Sequence, residues 1–254
     1  MKLFKKVLAG VAVAAALATS AQASMITVGG VTWDPDSLND FTGTTATMNQ
    51  LIDSGTGVLS GFGVITTLNG TGASTFCPSC ELTFSYGGFT PAGSVVVPTA
   101  TPGLAIDYSG GWIKIWVDSS KDATLAGADT NPLLLSSATT TNGSLWADLV
   151  GHEISGVSFT GSVSGTSVKP RLGGDGILDM VGGLAFGNLN TNDQQDGADL
   201  AFSTSFTTFP SSNLLYATGT GNFDGNSIPE PESLALVGLG LLGLAAARRR
   251  KAAK

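Results

Sequence analysis

The sequence predicts an all-β protein, a β-sandwich or jelly-roll-like single domain, and three observations predict it. Apolar and polar residues alternate with period two in several stretches, the pattern of strands with one buried face. Glycine pairs punctuate those stretches at Gly87-Gly88, Gly110-Gly111, Gly173-Gly174 and Gly182-Gly183. Helical periodicity is poor, and the composition leans to Gly (35 residues), Ser and Thr rather than to helix formers. A parallel β-helix is the alternative architecture, but no fixed repeat period supports it.

Taken in chain order, Met25–Trp33 and Val58–Leu68 read as strands. Leu82, Phe84 and Tyr86 then alternate with Thr83 and Ser85. Ile113, Ile115 and Val117 alternate with Trp112, Lys114 and Trp116. Val157, Phe159 and Val163 do so with Ser158, Thr160 and Ser162, and Leu200, Phe202 and Phe206 with Ala201, Ser203 and Ser205. Thr44–Asp53 and Ser144–Val150 read as short helices. Phe223 to Ser233 reads as a spacer leading out of the domain. These readings divide the chain into a leader over 1–23, an all-β extracytoplasmic domain over 24–226 and a C-terminal segment over 227–254.

The leader has a basic start at Lys2, Lys5 and Lys6, an apolar run from Val7 to Ala18, and small residues Ala21 and Ala23 ahead of Ser24. That is a secretory signal peptide, a helix cut by signal peptidase before Ser24. Between residues 24 and 228 only Lys114, Lys121, Lys169 and Arg171 are basic, against 17 acidic side chains, so this span carries a formal −13. A body that acidic repels nucleic acid and anionic lipid.

The chain ends in a second apolar run. Leu234–Ala247 would reach roughly 21 Å as a helix at ~1.5 Å per residue, short of the ~30 Å hydrocarbon core. Arg248, Arg249, Arg250 and Lys251 compensate by snorkelling and by holding the C-terminus on the cytoplasmic side. Pro229 and Pro231 block helix continuation upstream and favour an extended backbone that a membrane protease could grip. Gly238, Gly240 and Gly243 fit a dinucleotide-binding pattern, but inside a membrane segment they serve close helix packing instead.

Pro229-Glu230-Pro231, the apolar run Leu234–Ala247 and the cluster Arg248–Lys251 together resemble the PEP-CTERM sorting tag of Gram-negative bacteria. Ile228 stands where such tags often carry Val. The resemblance implies recognition by exosortase, a membrane-embedded protease or transpeptidase. It also implies removal of the tail and delivery to the cell surface or an exopolysaccharide matrix. Parts of the body, "CPSCELTFSYGGF" and "DGADLAFSTSF", resemble those of other tagged exported proteins, without a catalytic assignment.

Chemistry-bearing residues are few. Cys77-Pro78-Ser79-Cys80 precedes a strand rather than a helix, and the ends of a four-residue turn lie close enough for a disulfide. Pro78 at the second turn position suits it. A structural disulfide is therefore expected, ahead of redox or metal roles. His152 is the only histidine and opens an H-E-x-x whose fifth position is Gly156, which excludes the zinc-protease helix. No metal site is expected, and no cofactor. Asp193, Asp196 and Asp199 are weak Ca²⁺ candidates in an oxygen-rich loop that fails the EF-hand register, and Asp175 with Asp179 form another. Trp112 and Trp116 share a strand face with Lys114; they either stack on sugar rings as a glycan platform or fill the core.

The sequence thus predicts a non-enzymatic protein, exported, transiently anchored in the inner membrane by its tail and then held at the cell surface or in the extracellular matrix. Its expected role is structural or adhesive in association with exopolysaccharide, as in a biofilm. A carbohydrate-binding module, or an enzyme of unrecognised type, are the alternatives.

Overall fold

Wherever β-branched and aromatic residues alternate with Gly, Ser and Thr, the chain forms strands. The computed structural model describes residues 25–37, 40–93, 102–123, 137–166, 170–208 and 215–228; the signal segment and the residues from 229 onward lie outside the described residues. An N-terminal hairpin pairs β1 (Ile26–Val28) with β2 (Val31–Trp33) across Gly29-Gly30. A ten-stranded antiparallel sheet follows. It comprises β3 (Phe41–Ile52), β4 (Leu59–Leu68), β5 (Thr71–Gly72), β6 (Glu81–Pro91), β7 (Ala105–Asp118), β8 (Ser144–Gly151), β9 (Phe159–Gly165), β10 (Pro170–Gly182), β11 (Leu200–Thr208) and β12 (Tyr216–Gly225). Single helical turns lie at α1 (Ala73–Phe76), α2 (Ser137–Thr140) and α3 (Phe186–Leu189).

The fold is all-β and sandwich-like, with an additional feature: the sheet's two ends meet. Its order runs β11-β12-β3-β4-β6-β7-β8-β10, and β10 pairs back with β11 from Arg171↔Thr207 to Leu178↔Leu200. Two short strands share one place in the ring. β7 pairs β9 through Ala105–Tyr108 and β8 through Trp112–Val117. Among the described residues, closure leaves no long open edge in this sheet, which removes a template for pairing with other chains.

The interior is packed rather than hollow. Inward rings meet across the sheet, with Phe84 and Phe223 at 5.4 Å, Phe202 and Phe223 at 4.7 Å, and Phe89 and Phe159 at 5.5 Å between centroids. Glycines make room for them. A Cβ at Gly63 would lie 2.3 Å from the Phe84 ring, and one at Gly174 equally close to Phe159. Burial pushes the Tyr108 phenol up to about 12 and that of Tyr86 well above its ordinary value, so both remain neutral core residues. The Tyr86 hydroxyl donates to the Asn49 carbonyl at 2.9 Å.

Three sequence expectations are corrected. Thr44–Asp53 and Ser144–Val150 are not helices: Thr44–Ile52 lies in strand β3 and Ser144–Val150 in β8. Both carry register shifts, at Thr44–Thr47 and opposite Ile115–Trp116, and each shift breaks the period-two alternation that marks a strand. Phe223 to Ser233 is not a spacer throughout: Phe223 is a fully buried residue of β12, and residues 226–228 are hydrogen-bonded to the body.

Strand directions put two sets of connections at opposite ends of the ring. One end carries the 53–58 loop, the end of β11 at Thr208 and the start of β12 at Tyr216. The other carries the N-terminal hairpin, α1, the Cys77–Cys80 turn, α3 and the C-terminal end of β12. This second end is plugged by Trp33, Phe41 and Trp146, whose ring centroids lie 5.8–6.0 Å apart.

Candidate functional site

The departure point of the C-terminal segment is built from three parts of the chain. The Trp33 indole donates to the Ser227 hydroxyl at 3.2 Å. The Ile228 amide donates to the Asn188 carbonyl at 2.8 Å, and the Asn188 side-chain amide donates to the Ile228 carbonyl at 3.0 Å. Asn188 can reach because α3 turns directly after β10, pinned by Ala185 N–H donating to the Trp146 carbonyl at 2.8 Å. The Trp146 indole in turn donates to the Val28 carbonyl at 3.0 Å. The N-terminal hairpin and the last residue before Pro229 therefore sit at one end of the molecule, locked to each other through Ser227 and Asn188. Ala21, Ala23 and Ser24, the Pro229-Glu230-Pro231 motif, Gly238, Gly240 and Gly243, and the Arg248–Lys251 cluster lie outside the described residues.

Cys77 and Cys80 are disulfide-bonded with their Cα atoms 5.0 Å apart. The bridge closes a turn in which Cys80 N–H donates to the Cys77 carbonyl, and β6 begins at the next residue. Both cysteines are buried, and the Cys80 sulfur lies against Gly30 of the N-terminal hairpin, so the staple belongs to the plug.

On β7, Ile113, Ile115 and Val117 point into the core, and Trp112, Lys114 and Trp116 face outward. The outward row excludes the core reading of the two tryptophans. Trp112 is 37 % exposed. One face of its indole lies on the backbone of Gly87 and Gly88, where an added Cβ would come within 3.0–3.2 Å of the ring. Four positions apart, the two tryptophans are ~13 Å apart along the strand. Between them, the Lys114 ammonium binds both Asp148 oxygens at 2.7 Å. The arrangement offers a flat apolar surface flanking a paired charge.

The oxygen-rich loop does not gather calcium ligands. Asp199 is buried and accepts backbone N–H bonds from Met180, Thr191 and Asn192, each at 2.7 Å. Its oxygens are consumed by the fold, while Asp193 and Asp196 are exposed. Asp179 pairs with His152 Nδ1 at 2.8 Å, at the end of β8, and so leaves Asp175 without it as a co-ligand. Among the described residues, the carboxylates that do converge are Glu81, Asp118 and Asp122, with oxygens within 4.8 Å of one another. Burial, then Asp118 and Asp122, raise the Glu81 pKa. The hydroxyl and amide of Ser120 lower that of Asp118.

Sequence reasoning missed a groove of about 410 Å³ on the outer wall. Asp175, Ser203 and Asp224 line it from β10, β11 and β12, beneath the Ile154–Val157 bridge. Its members come from five separate segments and share a place only through strand register, which no local motif reveals. No helix among the described residues is long and apolar enough to cross a membrane.

A domain whose last described residues are bonded to its N-terminal hairpin and to α3, ahead of a proline-flanked carboxylate and an apolar run, is a body with a C-terminal address. The PEP-CTERM protein-sorting motif matches residues 227–251, so the chain carries an exosortase substrate tag. Export, transient membrane anchoring through the C-terminus and processing by exosortase follow from that tag. No curated protein and no solved structure matches the chain.

Proposed function

We propose that this chain is a non-enzymatic surface or extracellular-matrix protein, exported behind a signal peptide that signal peptidase removes. Exosortase then cuts it near Pro229–Pro231, and it acts structurally or adhesively in association with exopolysaccharide. The sorting tag is the observation that carries this reading. Closure of the sheet supports it, since a body without long open edges persists outside the cell without pairing to its neighbours.

The outward tryptophans of β7 favour a second reading, a carbohydrate-binding module. Aromatic faces on a rigid strand stack on sugar rings at low entropic cost. The formal −13 of the body turns this preference toward neutral rather than anionic glycans. Co-sedimentation of the protein with its own matrix polysaccharide tests both readings. Retention lowered about tenfold by Trp112→Ala, equivalent to ~1.4 kcal/mol, with unchanged circular dichroism, assigns binding to that face. Retention unaffected by Trp112→Ala leaves the structural reading, and no retention of the wild type contradicts both.

A further inference from the structure

Six large apolar side chains are exposed among the described residues, and four of them gather where the tag departs. Met25, Leu184, Phe186 and Ile228 stand 56, 53, 39 and 47 % exposed. They are neighbours through the interlock at the plugged end. Ile228 is bonded to Asn188, which follows Phe186 within α3; Leu184 packs against Gly29 of the hairpin, and Met25 precedes the strand that pairs with Trp33. Apolar side chains clustered at one end of a protein so rich in Ser, Thr and Asp mark a contact surface.

We propose that this rim is a lipid-docking surface: while the tag anchors the chain, the plugged end rests on the membrane, with Leu184, Phe186 and Ile228 in the headgroup layer. The proposal rests on the anchoring that the tag implies. Chain length selects the occupant. Only Pro229 to Ser233 separate Ile228 from the apolar run at Leu234. Even fully extended, that stretch spans at most about 20 Å, whereas a domain of this size is about 40 Å across. The pinned end therefore cannot turn away from the bilayer. A tether this short holds the rim at high effective concentration beside the headgroups, so a modest apolar surface suffices. Zwitterionic lipid fits, because the body's charge repels anionic headgroups.

The rim places the body against the membrane at the height where the protease must grip Pro229–Pro231. It thus holds the substrate upright and keeps the cleavage segment within the interface. After cleavage the tether is gone, the effective concentration falls, and the same weak rim releases the body.

The test uses the full chain with its tag, reconstituted into phosphatidylethanolamine–phosphatidylcholine vesicles that hold no other protein. An environment-sensitive fluorophore is attached at Phe186→Cys, Leu184→Cys or, as control at the far end, Thr56→Cys. Lipids with a spin-labelled upper acyl chain should quench the labels at 184 and 186 at least threefold more than the label at 56. Amide exchange over residues 185–190 of the unsubstituted chain should slow on vesicles relative to the same chain in detergent. Equal quenching at all three sites with unchanged exchange, in vesicles that retain the chain through alkaline carbonate, would overturn docking while leaving the anchor intact. Extraction by carbonate would overturn the anchoring itself, and the proposal with it. Protection that requires co-reconstituted exosortase would overturn the lipid assignment and give the rim to the protease.

Discussion

Asp199 shows how a polar residue can be structural here. Its carboxylate is buried and satisfied by three backbone amides, which together hold the 190–199 loop on β10. Asp199→Asn should cost about 3 kcal/mol in chemical denaturation, because an amide N–H then faces a backbone N–H and charge-assisted bonds are lost. A change under ~0.5 kcal/mol would contradict that role. Glu81 has the opposite balance. It gains a bond from Ala123 N–H at 3.0 Å, but burial and two neighbouring carboxylates raise its pKa. A raised folded-state pKa means that the associated stability is present below the ordinary glutamate range and lost as pH rises through the raised value. Glu81→Gln should therefore raise the melting temperature at neutral pH, with the gain vanishing below about pH 4, where Glu81 is protonated in either state. A gain independent of pH would assign the effect to packing instead.

At the scale of elements, the Cys77–Cys80 turn and the β1–β2 hairpin form one plug. Its loop is short, so the chain-entropy argument gives the disulfide only about 2 kcal/mol. Replacing both cysteines by Ala should lower stability by that amount in thermal unfolding; an equal melting temperature under reducing and oxidising conditions would contradict it. The turn was legible because Pro78 and a following strand pattern act locally. The strands from Leu82 and from Ile113 were legible for the same reason, since uninterrupted alternation survives in both. β3 and β8 were not. Their bulges shift the inward face by one residue midway, and the partners that compensate lie far away in sequence. The side of β7 to which the tryptophans turn was equally hidden. Alternation shows that Ile113 and Trp112 face opposite ways, but the choice of interior depends on rings contributed by β6, β11 and β12.

For the whole molecule, closure of the sheet explains both ends of its history. The ring brings residue 25 and residue 228 to the same end, so the tag leaves the body beside its N-terminal hairpin. The tag itself was readable from sequence because its parts follow one another in order and act through hydropathy and charge alone. The clamp on Ser227 and Ile228 was not, because Trp33 and Asn188 reach them only through the fold. The central claim is that this clamped tag is removed on export. The direct measurement is the intact mass of the protein recovered from the native cell surface or medium, beside a variant carrying Pro229→Ala, Glu230→Ala and Pro231→Ala. The account predicts a wild-type chain that begins at Ser24 and ends before Leu234, and a variant that retains its tail. Wild-type protein still carrying Leu234–Lys254 would contradict it, leaving a body permanently anchored in the membrane.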